Sequence, residues 1–106
     1  MNIMNISNLT PHAIQIVGGP SFPPSGRLAR CAQVSAAAGE HEGLPLVSVQ
    51  FGEVEGLPEP QEGILYIVSA LVRSAVPHRH DVASPGDLVR DSAGQPVGCR
   101  NLVVNR

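Results

Sequence analysis

The sequence predicts a β-dominant α+β fold: a small antiparallel sheet or partly open barrel carrying one short helix. Three observations lead there. Apolar and polar residues alternate over several short stretches, the period of a half-buried strand. Gly and Pro, 11 and 10 of the 106 residues, cluster between those stretches as turns. Only from Ser69 does the pattern shift to a helical period, and it stops before Pro77. The length fits one domain, residues 1–106, with a single modest core.

The elements follow in order. Asn8-Leu9-Thr10-Pro11-His12 leads into Ala13–Val17, where Ile14 and Ile16 share one strand face, and Gly18-Gly19-Pro20 ends it. Pro23-Pro24-Ser25-Gly26 is a second turn region. Arg27–Ser35 is a strand with Leu28, Arg30, Ala32 and Val34 on one face and Ala29, Cys31 and Gln33 on the other. Arg30 therefore sits on an apolar face, where it needs a partner or an edge position from which its guanidinium reaches water. Gly39–Gly43 reads as a polar loop, Leu46–Val54 as a strand, and Gly56–Gly63 as a loop stiffened by Pro58 and Pro60.

From Ile64 an apolar run begins as a strand. Beyond Ser69, Val68, Leu71, Val72, Ala75 and Val76 recur at helical spacing, and the helix ends before Pro77. Helix throughout 64–76 is the alternative. Ser84-Pro85-Gly86-Asp87 is a turn. Leu88–Asp91 and Val97–Val104 form a hairpin around Ser92–Gln95, with Gly98, Arg100, Leu102 and Val104 on one face.

Composition narrows the chemistry. The chain is 42% hydrophobic with only three aromatic rings, Phe22, Phe51 and Tyr66, so its core is aliphatic. The formal net charge of −2 excludes bulk attraction to nucleic acid or to an anionic membrane. No apolar stretch approaches the roughly 18 residues of a membrane helix. The segment Met1–Leu9 lacks the positive charge of a secretory leader. Cys31 and Cys99 form no disulfide framework pattern and read as buried thiols of a cytoplasmic protein. All seven basic residues are arginine. A GC-rich genome explains that, and so does a need for planar, two-point capture of phosphate.

Catalytic constellations find little support. His78 and His80, two apart, would point the same way in an extended segment, and Asp81 or Cys99 would have to complete a metal site; zinc wants three or four ligands. Cys99 with His80 and Asp81 makes a triad only on paper, since no strained elbow or oxyanion-type loop surrounds the thiol. No phosphate loop of the usual kinds appears, because Gly18-Gly19 runs into Pro20. The chain thus reads as non-catalytic, with no cofactor or metal required. What remains is a set of anchoring groups: Arg30, Tyr66, Arg73, Arg79, Asp81, Arg90, Asp91, Arg100 and Asn101. Guanidinium groups clasp phosphates, carboxylates and amides hold ribose hydroxyls or base edges, and Tyr66 offers a ring for stacking. Surface ion pairs, Arg79–Asp81 and Arg90–Asp91 among them, are the plainer alternative.

A series of words spans nearly the whole chain: Asn8–Ile14, Pro23–Gly26 with Leu28-Ala29-Arg30, Gly52–Pro58, Tyr66–Val72, Asp81-Val82, Ser84-Pro85-Gly86, Val89-Arg90-Asp91 and Gly98-Cys99-Arg100. In these words the chain resembles a family of small proteins from bacteriophages and high-GC bacteria. Its size and mixed small-sheet character are further similar to the phage Thoeris anti-defence proteins of the first type. That resemblance implies a sponge, which binds cyclic ADP-ribose signals of bacterial immunity, and in some cases cyclic oligonucleotides, without cleaving them. It also implies a homo-oligomer, a dimer or dimer-based hexamer, in the cytoplasm of an infected cell. Two other expectations stand beside it. One is a metal-assisted hydrolase using His78, His80 and Asp81. The other is a phage structural or interaction module that binds a partner along a sheet edge.

Overall fold

The computed structural model describes residues 5–106, so the leader question at the N-terminus lies partly outside the described residues. Strands dominate, with one helix among them, which is the β-dominant α+β class. The strands are β1 (Asn5–Asn8), β2 (Ile14–Gln15), β3 (Ser21–Phe22), β4 (Arg30–His41), β5 (Leu44–Glu55) and β6 (Ile64–Ile67). Helix α1 (Ala70–Ala75) follows, then β7 (Val82–Pro85), β8 (Leu88–Arg90), β9 (Pro96–Cys99) and β10 (Leu102–Val104). No helix among them is long and apolar enough to cross a membrane.

The central sheet has the order β1-β6-β7-β10. It is mixed: β1–β6 and β6–β7 are parallel, and β7–β10 is antiparallel. The short antiparallel pairs β2–β3, β4–β5 and β8–β9 surround it, and among the described residues no sheet closes into a barrel. The β6–β7 pair is parallel because α1 carries the chain back from the end of β6 to the start of β7, which a hairpin cannot do, and the long excursion through β2 to β5 does the same between β1 and β6. β6 is buried along most of its length, as expected for a strand covered on both faces.

The core lies between the central sheet, α1 and the base of β4–β5. It is aliphatic apart from one ring: Leu9, Ala29, Cys31, Tyr66, Val68, Val72 and Val82 pack together, with Val54, Leu57, Ile64 and Val76 against them. Both cysteines are buried free thiols. Helix α1 starts where Ser69 accepts a hydrogen bond from the Val72 amide (3.2 Å), a side-chain cap on an otherwise unpaired donor. It presents Val72 inward, Val76 packs against the core just past its end, and Leu71 is 43% exposed.

The word around Asn8 has a structural role. Asn8 is buried, and its Nδ2 donates to the carbonyls of His12 (2.7 Å) and Phe22 (2.9 Å). Its Oδ1 accepts from the amide (3.0 Å) and the hydroxyl (2.7 Å) of Thr10. One side chain thereby fixes the exit from β1 and ties it to β3.

Besides Ser84-Pro85, which end β7 so that the expected turn narrows to Gly86-Asp87, two sequence expectations change. Residues 39–43 are not a loop. β4 and β5 run on as a ribbon to the pair His41–Leu44, closed by the two-residue turn Glu42-Gly43, both with positive φ (49° and 81°). That is the twist-matched hairpin turn, and a one-residue irregularity between Ala37 and Glu40 absorbs Gly39 at φ 91°. Secondly, 97–104 is not one strand. The chain breaks at Arg100-Asn101, β9 stays with β8, and β10 crosses to pair with β7. Gly98, Arg100, Leu102 and Val104 therefore share no common face.

Candidate functional site

A hollow of about 400 Å³ opens at the C-terminal end of the fold. Its walls come from the proline loop (Pro60, Gln61), the start of β6 (Gly63 to Leu65), the turn after α1 (His78 to Asp81) and Arg106. That volume falls within the roughly 300–1,000 Å³ of small-ligand pockets.

Local structure fixes these walls. Pro77 prevents α1 from continuing, and the Arg79 amide closes a turn on the Val76 carbonyl (2.9 Å). Asn105 locks the turn. Its Nδ2 lies 3.0, 3.1 and 3.2 Å from the carbonyls of Arg73, Val76 and Arg79, while its Oδ1 accepts from Arg73 Nη1 (3.0 Å). The Arg73 and Val76 carbonyls at the end of the short helix thus gain a side-chain partner beside their backbone donors.

Arg79 carries the electrostatics. Its Nε and Nη2 donate to Asp81 Oδ1 (2.7 Å) and Oδ2 (2.8 Å), and Nη2 also reaches the Pro58 carbonyl (2.9 Å). This forked pair ties the proline loop to the entry of β7. The hydrogen bonds from Arg79 hold the Asp81 carboxyl below its ordinary range, and Asp81 in turn raises the guanidinium. Arg106 donates through Nε (3.3 Å) and Nη2 (3.2 Å) to the His80 carbonyl. In both arginines Nη1 has no partner among the described residues. The exposed His78 and His80 stand on the same rim. The arrangement can offer directed N–H donors to an anion; it aligns no nucleophile with a base.

The nine residues singled out from the sequence are not gathered in one place. Arg79 and Asp81 line this hollow. Arg73 lies behind it, bonded through Nε to Ser84 (2.8 Å) and through Nη1 to Asn105. Tyr66 is a core residue, 3% exposed, so its ring is not presented for stacking. Arg30 is exposed at the base of β4, 3.8 Å from Glu55 on the adjacent strand, and borders a separate depression. Arg90 donates to the Gly94 carbonyl (2.9 Å), and Asp91 accepts from the amides of Ala93 and Gln95, shaping the β8–β9 turn. The expected Arg90–Asp91 pair is thus replaced by turn bonds, whereas the Arg79–Asp81 pair forms. Arg100 is exposed, and Asn101 receives the Asp87 amide (3.2 Å) beside Gly86, where no Cβ would fit. Asn105 and Arg106 escaped sequence reasoning, since nothing local marks them; their partners are 26 to 32 residues away.

A second hollow, of about 390 Å³, lies between β2 and the β8–β9 hairpin and includes His12, Leu88, Val97 and Cys99. Cys99 is therefore on a different hollow from His80 and Asp81, and the drawn triad is not assembled. Among the described residues no three His, Cys, Asp or Glu side chains are grouped to hold a metal ion. Searches of family models, curated proteins and solved structures return no match to the chain.

Proposed function

We propose that this chain is a non-catalytic binding protein that captures a small anionic, nucleotide-derived signal, in the manner of a phage anti-defence sponge acting in the host cytoplasm. One observation carries the reading. The C-terminal hollow, of ligand size, is rimmed by two guanidiniums, each with an unengaged Nη1, and by two exposed imidazoles. Such donors suit phosphate oxygens, which arginine holds in fixed geometry. The likeness in size and small-sheet character to the first-type Thoeris anti-defence proteins suggests the ligand class: cyclic ADP-ribose isomers or cyclic oligonucleotides. The nine anchors chosen from sequence reduce in this proposal to Arg79 and Asp81, joined by Arg106, His78 and His80.

Sequestration requires tight binding, about −12 kcal/mol for a nanomolar complex. Calorimetry against cyclic ADP-ribose isomers and cyclic di- and trinucleotides tests it. The expected result is a saturable isotherm with one of them, weakened by Arg106→Ala, and an intact ligand released on boiling. Absence of heat with every one of these compounds, or release of a cleaved product, contradicts the proposal.

A further inference from the structure

The ribbon of β4 and β5 stands away from the rest of the molecule. Each strand has 12 residues, and beyond Ala32 on β4 and before Val54 on β5 every one is exposed. The radius of gyration is 16.7 Å, against about 13 Å for a compact domain of this length. The surface is 7370 Å², against about 5,700 Å² for a compact monomer of this mass. The excess, about 1,700 Å², is roughly twice what one partner contributes to a stable standard interface.

The chemistry of the ribbon is unusual for solvent. Between Arg30 and Glu40 on β4, and from Leu44 to Gly52 on β5, there is no charged side chain. Exposed edges are ordinarily blunted by charge or by a covering element. Two strands alone are marginal in water and gain from a third strand or a packed layer. At the base, Cys31 and Val54 pair and pack into the core. Counting outward in twos from Cys31 gives Gln33, Ser35 and Ala37, whose cross-strand partners are Phe51, Val49 and Val47. Those three are 51, 44 and 67% exposed. The face that is core at the base continues outward with nothing on it.

We infer that the β4–β5 ribbon is a self-association arm, and that a second copy of this chain covers the Val47–Val49–Phe51 face. Three features select a second copy. Without charge the face meets its own image with no repulsion. Its two rows are self-complementary, large on β5 and small or polar on β4. A two-fold axis along the arm lays each large row over the partner's small row. The surplus surface also exceeds one partner's share of an interface of ordinary size. This inference is independent of the ligand proposal and is read without ligand.

The test is light scattering coupled to size exclusion on the full chain, from about 1 to about 100 μM, a range that brackets a micromolar dissociation constant. The wild type is expected as a dimer or larger even-numbered assembly. Val49→Asp is expected to raise the dissociation constant at least about 100-fold, because it places an unpaired carboxylate in the covered face. Val47→Asp, nearer the tip, should do the same, with an unchanged circular dichroism spectrum showing that the body stays folded. Leu88→Asp, on β8 and outside the arm, should leave assembly unchanged. A wild type that remains monomeric at the highest concentration overturns the inference, even if it retains some other protein. So does a folded Val49→Asp variant that assembles as the wild type does. Calorimetry on monomeric Val49→Asp separates this outcome from that of the ligand proposal.

Discussion

Replacing Asp81 by alanine should destabilise the fold well beyond what a surface ion pair contributes. The change removes two charge-assisted hydrogen bonds, of 2.7 and 2.8 Å, and leaves the Arg79 guanidinium with only the Pro58 carbonyl. Exposed pairs are worth about 0–1 kcal/mol, and breaking a fully buried pair costs about 3–5 kcal/mol. The two side chains are 13 and 20% exposed, nearer the buried limit. A loss of about 2–3 kcal/mol follows, and with about 4–8 °C per kcal/mol for a domain of this size, Tm should fall by roughly 10–20 °C. Urea and thermal unfolding at neutral pH measure it.

The pH dependence has a definite sign. The carboxyl of Asp81 is depressed by Arg79, so its contribution is fully present above the unfolded value near 3.8 and is lost as pH falls through the lower folded value. The gap between wild type and Asp81→Ala should hold constant from about pH 5 to 8 and narrow below about pH 4. The double variant Arg79→Ala/Asp81→Ala should lose less than the sum of the single losses, since no unpaired charge then remains. A neutral-pH loss under about 0.5 kcal/mol, or a gap that widens as pH falls below about 4, would refute the structural role given to this pair.

Other outcomes follow from the same physics. Asn8→Ala strips four hydrogen bonds from a buried position and should cost about 3 kcal/mol, measured by urea midpoint, because the His12 and Phe22 carbonyls lose their donor. Ser69→Ala removes the cap of α1 and should cost about 1 kcal/mol, visible as an equal loss in thermal and urea unfolding. Val72→Ala empties a fully buried site between α1 and the sheet and should cost about 2–3 kcal/mol by the same assays.

What the sequence made legible was local. The helix start and stop could be read from Ser69 and Pro77, because a cap and a ring that blocks the next turn act within one turn of chain. The β8–β9 hairpin was readable from the Ser92–Gln95 turn, although its last strand was drawn too long. Gly39–Gly43 looked like a loop because Gly, Glu and His are turn-compatible. A one-residue irregularity and a two-residue turn use those residues while the ladder continues. Parallel pairing of β1 with β6 has no local signature, since its register joins strands tens of residues apart. The arginines show the same divide. Arg79–Asp81, two residues apart, was foreseeable as a pair. Arg73 and Arg106 found Ser84, Asn105 and the His80 carbonyl only through the fold.

Chemical-shift mapping with the tightest-binding cyclic nucleotide tests the central claim most directly. Titrated into labelled protein, it should move the amide signals of Gly63–Leu65, His78–Asp81 and Arg106, and the Nε signals of Arg79 and Arg106, together and saturably. Shifts confined to the β8–β9 hairpin or to the arm, with the C-terminal hollow silent, would place the ligand elsewhere and contradict the claim.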